Sequence, residues 1–423
     1  MGNDATRNEQ GFADGAWRST RPLRVVHVME STIGGTRRHL VDVALGQAEA
    51  GLDVHVIASC ERHAEFRDDL ERLAAEGVGV LELPMVRSLR PLVDYSHLRA
   101  VQRHLRAIVP DVVHTHSSKG GVLGRVASLR TGIGARVHTP HTFAFLFSHM
   151  FGPAKRRVFR SIEERLARGT HVVVAVGAGE AETMLASGVV RADQVRVVPN
   201  GIDPGPFETA EPLARADLGA HQDELLLGVV GLLNVAKGQD LALRALARPG
   251  AERARLVLVG HGDTEGELRA LAADLGVADR VEFLGWRRDV PRILRSLDGL
   301  VLPSRWEGLP YVVLEAMAAG TPVLAARVDG ARDLVGDGRG GFTFEVESVD
   351  GLTGCIAHLA SLTRDERERL GASGRATLLA GHTRSTMVSG LEAVYREAVA
   401  LNANSGALSE SADPAFQSPG STA

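Results

Sequence analysis

Two cysteines in 423 residues, Cys60 and Cys355, are too few and too far apart for a disulfide framework or a Cys-rich zinc site, and they fit a reducing cytoplasm. No run of about 18 apolar residues is present, so a membrane-spanning helix is not expected. The opening stretch, "MGNDATRNEQGFADGAWRST", lacks the apolar core of a signal peptide. It matches the short myristoylation pattern through Gly2 and Thr6, but the richness in Ala, Arg, Gly and Val points to a high-GC bacterium, where that modification is not expected. Basic excess is also missing. A formal net charge of -4 and a pI near 6.5 argue against a nucleic-acid partner. There is no Asp-x-Asp pair to clamp a divalent metal on a diphosphate, and the histidines match no compact zinc spacing. No G-x-G-x-x-G follows the first strand, which disfavours a dinucleotide oxidoreductase.

What remains is a globular α/β pattern: 44% hydrophobic and 24% charged residues in a chain too long for one core. Short β-branched runs alternate with amphipathic stretches: "LRVVHVM" (23–29), "DVHVIAS" (53–59), "GVLELP" (79–84), "DVVHTH" (111–116), "ARVHTPH" (135–141), "HVVVAVG" (171–177) and "VRVVPNG" (195–201). After the Pro-rich "IDPGPFETAEP" (202–212), a linker candidate, the alternation restarts with "LLLGVVG" (225–231), "RLVLVG" (255–260), "RVEFLG" (280–285), "GLVLPS" (299–304), "TPVLAA" (321–326) and "GFTFE" (341–345). Continuous apolar strands separated by helices predict parallel sheets covered on both faces. The reading is two doubly wound Rossmann-like domains facing across a cleft. Residues 21–208 form the first and 209–384 the second. A helix over 385–401 crosses back, and disordered tails cover 1–20 and 402–423.

Ligands of such sheets sit beyond the carboxyl ends of the strands, so motifs there carry the chemistry. Gly34 and Gly35, in "MESTIGGTRRHL", allow a ligand to approach backbone N–H groups at a helix start. "HTH", "SSKGG" with Lys119, and "HTPHTF" with His141 also fall at strand ends; His141 could donate a hydrogen bond to a sugar hydroxyl, or be structural. Lys237, in "GLLNVAKGQD", could neutralise a phosphate. In "SRWEGLPYVVLEAMAAG" (304–320), Glu307 sits at a turn and Glu315 inside an apolar helix. Burying an unpaired carboxylate costs several kcal/mol, so two of them need a reason. Gly308, Leu309 and Pro310 lead into a helix start that suits an anion, and the two carboxylates can accept hydrogen bonds from polyol hydroxyls on either side of it. That combination describes a nucleotide-sugar pocket.

Glu307 and Glu315, with seven residues between them, resemble the E-x7-E motif of retaining GT-B glycosyltransferases. Between the tails the chain is similar to bacterial family-4 members, with "IGG", "PDVVHTH", "TPHTF", "VRVVPNGID", "KGQD" and "PSRWEGLPYVVLEAMAAGTPVLA" in the family's order. The resemblance implies a GT-B fold, an NDP-sugar donor (UDP favoured) held by the second domain, an acceptor held mainly by the first, retention of configuration, and no metal or other cofactor. By the same resemblance, Glu315 binds the donor ribose and Glu307 the donor sugar near its C3 hydroxyl. Lys237 and the N–H groups after Glu307 hold the diphosphate, His141 approaches the reacting centre, and Gly35 approaches the donor phosphate. One departure stands out: Leu232 occupies a place where the family often has a second diphosphate-binding arginine. Arg37, Arg38 and Arg305 are candidate substitutes, and these residues and Lys119 are possible diphosphate or acceptor contacts.

The expected activity is transfer of a hexose or N-acetylhexosamine to a hydroxyl of a small hydrophilic natural product such as an aminoglycoside. The alternative is a lipid-linked polysaccharide precursor, docked through the aromatic and basic stretch "FAFLFSHMFGPAKRRVFR" (143–160) with weak membrane contact. Rival readings are a sugar-nucleotide epimerase and a sugar-nucleotide-binding protein with lost activity, the latter motivated by Leu232.

Overall fold

The computed structural model describes residues 21–147 and 150–410. The expected tail over 1–20, the myristoylation pattern and residues 411–423 lie outside the described residues.

The first sheet contains β1 (Arg24–Met29), β2 (Asp53–Ala58), β3 (Gly79–Glu82), β4 (Val112–His116), β5 (Ala135–Thr139), β6 (Val172–Ala175) and β7 (Val195–Val197). The second contains β8 (Leu225–Val230), β9 (Ala254–Val259), β10 (Val281–Gly285), β11 (Gly299–Leu302), β12 (Val323–Ala326), β13 (Gly336–Asp337) and β14 (Gly340–Phe344). Their orders are β3-β2-β1-β4-β5-β6-β7 and β10-β9-β8-β11-β12-β14-β13, and the named strands pair in parallel. The apolar runs are continuous because both faces of each sheet are covered: β4, β6, β11 and β12 are buried along their whole length. Strand order reverses between β1 and β4 in one sheet and between β8 and β11 in the other. At these switch points the loops diverge and leave a crevice.

Past the second domain the chain returns to the first. Ile202, in the linker, pairs with Thr383 as an isolated parallel bridge, and the helix Arg384–Glu410 then lies on the helix Gly34–Glu49 and on β5. Met387, Leu391, Val394, Tyr395 and Ala398 complete a core cluster with Val25, Val43, Val112 and Val137. The close approach needs Gly46, where a Cβ would lie 2.7 Å from Val388 Cγ2. This helix runs on to Glu410, beyond the end at 401 expected from the sequence; its last stretch has no proline to stop it before Pro414.

Candidate active site

In the second domain the site grows from the two strands that flank the switch point. After β8, Asn234 caps a short turn by accepting from the Lys237 N–H (3.2 Å). Gly238 closes the turn at φ 65°, with Pro303 O only 2.1 Å from where a Cβ would sit, so no other residue fits there. The turn delivers the Lys237 ammonium to Glu307 Oε1 at 2.5 Å, and Ser304 Oγ donates to the same oxygen at 2.8 Å. Glu307 ends the loop after β11; Gly308, Leu309 and Pro310 follow, and Pro310 precedes the helix Tyr311–Ala319. The first N–H groups of that helix have no partner within it. Arg305 has a different place from the one expected. It forks onto Asp240 with two 2.9 Å bonds, reaches Glu347 at 2.9 Å and donates to Val235 O at 2.7 Å. With its charge matched by two carboxylates, it clamps the Lys237 turn from behind.

Glu315 lies on the same helix and faces the first domain. Arg38 Nη1 is 3.9 Å from Glu315 Oε1, and Arg38 Nε is 2.6 Å from Asp42 Oδ2. Burial raises the Glu315 pKa; Arg38 opposes the rise and Asp42 adds to it. Gly34 and Gly35 stand over the second domain. A Cβ on Gly35 would lie 3.7 Å from Tyr311 Cδ2, and one on Gly34 would lie 4.0 Å from Leu232 Cδ1. Leu232 thus faces Gly34 across the crevice. Of the candidate substitutes, Arg38 is the one that contacts Glu315. Arg37 is bound to Asp69 (2.5 Å), His63 (2.9 Å) and Glu65 O (3.2 Å), on the far side of its helix. Lys119 is buried, with Asp94 at 2.6 Å and Ser88 O at 2.8 Å, and serves the first domain's interior.

His141 follows β5 on a strained turn. It has φ 50° and Thr142 has φ 74°, two consecutive non-glycine residues in the left-handed region. Such conformations cost about 1–3 kcal/mol each, more readily tolerated where the surroundings enforce them. Here the buried Glu180 does so: one oxygen accepts from the Thr142 N–H (2.7 Å) and the other from the Val176 N–H (2.8 Å). Burial raises the Glu180 pKa against these two bonds. The turn sets the His141 ring 4.6 Å from that of His39, edge to face, with Nε2 3.4 Å from His116 Nδ1. A small cavity between the domains is lined by Thr142, Phe143, Glu180, Glu307, Gly308 and Asp329, so the two halves of the site meet.

Sequence reasoning missed Asn200. Its Nδ2 donates to Leu309 O (3.0 Å) and its Oδ1 lies 2.8 Å from His39 Nδ1, which ties the first domain to the Glu307 loop. "VRVVPNGID" marks the place, but the strand reading drew attention to the valines. The buried His27, His39, His114 and His116 were missed as a group because strand alternation hides which residues stack. Among the described residues two triplets, His27/His114/His116 and His39/His116/His141, are close enough to hold a cation. In the first, both nitrogens of His27 and of His114 already have hydrogen-bond partners; in the second, His116 and His141 bond one another.

The family of glycosyl transferases group 1 matches residues 211–377, and the glycosyl transferase 4-like domain matches residues 34–201. The D-inositol 3-phosphate glycosyltransferase of Acidothermus cellulolyticus is 32% identical over 416 residues, 90% of this chain and 89% of that one. The Escherichia coli UDP-Gal:alpha-D-GlcNAc-diphosphoundecaprenol alpha-1,3-galactosyltransferase is 28% identical over 316 residues, 73% of this chain and 80% of the other. Among solved structures, Anabaena HepE in complex with UDP and glucose superposes with a TM-score of 0.74 at 22% identity, covering 88% of this chain and 99% of its own. Sucrose-phosphate synthase from Thermosynechococcus elongatus gives 0.74 at 21% identity, with 90% and 100% covered. With two facing parallel α/β sheets and both halves matched in order, the chain belongs to the family-4 glycosyltransferases of GT-B fold, which move a sugar from a nucleotide sugar.

Proposed function

We propose that this glycosyltransferase uses a UDP-sugar, carrying a hexose or N-acetylhexosamine, and retains the donor's anomeric configuration. The observation that carries the reading is the Lys237–Glu307 contact beside the start of the Tyr311–Ala319 helix. A donor entering the crevice offers the lysine a diphosphate and the glutamate a sugar hydroxyl, so each finds a new partner and neither is left buried and unpaired. Lys237 and the helix N–H groups then stabilise the charge that grows on the leaving UDP. Glu315 accepts from the ribose hydroxyls, and His141 contacts the sugar near C1. The bond from C1 to the diphosphate oxygen breaks and the bond to the acceptor oxygen forms on the same face. The departing diphosphate takes the acceptor proton, a route that needs no metal ion and no separate base. The first domain (21–208) takes the acceptor and the second (209–384) the donor, in the cytoplasm. HepE with UDP and glucose supports the choice of nucleotide.

For the acceptor, a specific observation favours the lipid-linked reading over the aminoglycoside. Leu89, Leu92, Val93, Tyr95, Met150 and Val158 are exposed apolar residues. Arg87 stacks over Phe151 at 5.5 Å and joins the two segments that carry them. Next to them Phe145, Pro153, Arg156, Arg157 and Arg160 line an open cavity of about 270 Å³. Apolar contacts beside arginines suit a phosphate on a lipid chain. The E. coli relative acts, by its name, on a diphosphoundecaprenol acceptor. The test is UDP release from UDP-glucose, UDP-galactose and UDP-N-acetylglucosamine with polyprenyl-diphosphate sugars and with aminocyclitols. Turnover only with the soluble aminocyclitols would overturn the lipid-linked reading.

A further inference from the structure

Seven side chains from five segments of the chain form one line of hydrogen bonds through the first domain. His141 Nε2 lies 3.4 Å from His116 Nδ1, and His116 Nε2 lies 3.0 Å from His27 Nδ1. His27 Nε2 is 2.8 Å from Gln47 Oε1, and Gln47 Nε2 donates to Tyr395 Oη at 2.9 Å. From there Tyr395 Oη is 2.7 Å from His114 Nδ1, and His114 Nε2 is 2.9 Å from Thr139 Oγ1. Apart from the half-buried His141, the line is sealed from solvent: His27, Gln47, His114, His116, Thr139 and Tyr395 are all fully buried.

A neutral imidazole carries one N–H and one bare nitrogen, so each ring passes the direction of a hydrogen bond unchanged to the next. The Gln47 carboxamide sets that direction for the whole line. Its Oε1 accepts only, so His27 carries its proton on Nε2 and accepts on Nδ1. His116 then donates from Nε2 and accepts on Nδ1, and His141 donates from Nε2. The lone pair of His141 is left on Nδ1. On the other side Tyr395 accepts from Gln47 and donates to His114, which donates to Thr139. Every link is satisfied with neutral rings. Burial favours those neutral forms, holding His27 down to about 4 and His114, His116 and His141 well below the ordinary histidine range. Turning the carboxamide over would reverse every link together, so no single ring can change alone.

We propose that Gln47, anchored by Tyr395 of the C-terminal helix, is a positioning residue for glycosyl transfer: through His27 and His116 it locks His141 with its proton on Nε2 and its Nδ1 bare to accept from a substrate hydroxyl. The consequence for turnover rests on the placement of His141 at the reacting centre; the lock itself does not. The line also gives the returning helix Arg384–Glu410 a reason to reach the first sheet beyond its apolar packing.

The test uses the full chain labelled with 15N-histidine, with the His141 signals assigned by difference against His141→Gln. Ring-nitrogen shifts should show Nε2 protonated in His27, His116 and His141. Gln47→Leu removes the acceptor and should give mixed tautomers in all three rings, with kcat down about tenfold and the donor KM within threefold. Gln47→Glu still accepts from His27 but cannot donate to Tyr395, so His27 should keep its Nε2 proton while Tyr395 turns its O–H from His114 to the new carboxylate. Circular dichroism and gel filtration identify any variant that fails to fold; Tyr395→Phe, which removes one oxygen, then serves as the second probe, with a smaller change of the same kind expected. A His141 protonated on Nδ1 would overturn the direction of the lock. Tautomers that change with kcat unmoved would overturn the positioning role and, with it, the placement of His141 in the reaction. Stoichiometric zinc bound by the purified chain and lost in His39→Gln would overturn the lock, since His141 Nε2 would then be a ligand.

Discussion

The Lys237 ammonium sits 2.5 Å from Glu307 Oε1, and both groups lie at the switch point of the second sheet. On the proposed reading a donor separates these two matched charges, so the two residues should fail differently. With Lys237 on the leaving diphosphate, as proposed, Lys237→Ala should lower kcat/KM about 100-fold. Glu307→Ala should act mainly on kcat. Initial rates at varied UDP-sugar check both, and near-normal kinetics for the two variants would remove the site from the reaction.

Glu315 answers instead to Arg38 and Asp42 from the first domain. Glu315→Ala should raise the donor dissociation constant about tenfold, one charge-assisted hydrogen bond at ~1.4 kcal/mol, with kcat changed less. Titration calorimetry with UDP reads this without an acceptor. Arg38→Ala leaves two largely buried carboxylates without their cation and should lower stability as well, by about 1–3 kcal/mol in urea unfolding.

Leu232 faces Gly34, with Cδ1 4.0 Å from where a Cβ on Gly34 would sit. Leu232→Arg should tighten UDP about tenfold if the diphosphate lies there, whereas Leu232→Met should do nothing. Arg37→Ala, outside the crevice, should leave turnover within threefold. Arg305→Ala should lower it by loosening the Lys237 turn, without abolishing it.

The buried histidines make stability depend on pH. Burial holds His27 and His39 down to about 4, below the 6.5 of the unfolded chain. Between those values the unfolded state binds more protons, so stability is complete above about pH 6.5 and is lost as pH falls towards 4. Each ring should cost on the order of 2 kcal/mol at pH 5 relative to pH 8. Thermal unfolding at pH 8, 6.5 and 5 should show Tm steady over the first interval and falling over the second. A Tm unchanged down to pH 5 would mean the rings are not held neutral.

Much of this was legible in the sequence because parallel strands buried on both faces are written as continuous apolar runs. The segments around β1 to β12 and β14 stood out that way; β13, two residues long, carries no such run. Glu307 and Lys237 were visible as charges each followed by a glycine at a turn, and Glu315 as a carboxylate inside an apolar helix. Partners were not visible. Arg37 and Arg305 looked alike as free cations near the crevice, and only the fold shows Asp69 beside one and Asp240 with Glu347 beside the other. Asn200 reads as a turn residue until Leu309 and His39 are seen on either side of it. Gln47 and Tyr395 are 348 positions apart in the chain, and no local pattern announces that they touch.

The most direct measurement is the stoichiometry and stereochemistry of one turnover. With a UDP-sugar and a polyprenyl-diphosphate-linked acceptor, one UDP should be released per glycosidic bond, the product should carry the donor's anomeric configuration by proton coupling constants, and both should form about 100-fold more slowly in Lys237→Ala. An inverted anomer, or full turnover by Lys237→Ala, would contradict the proposed reading.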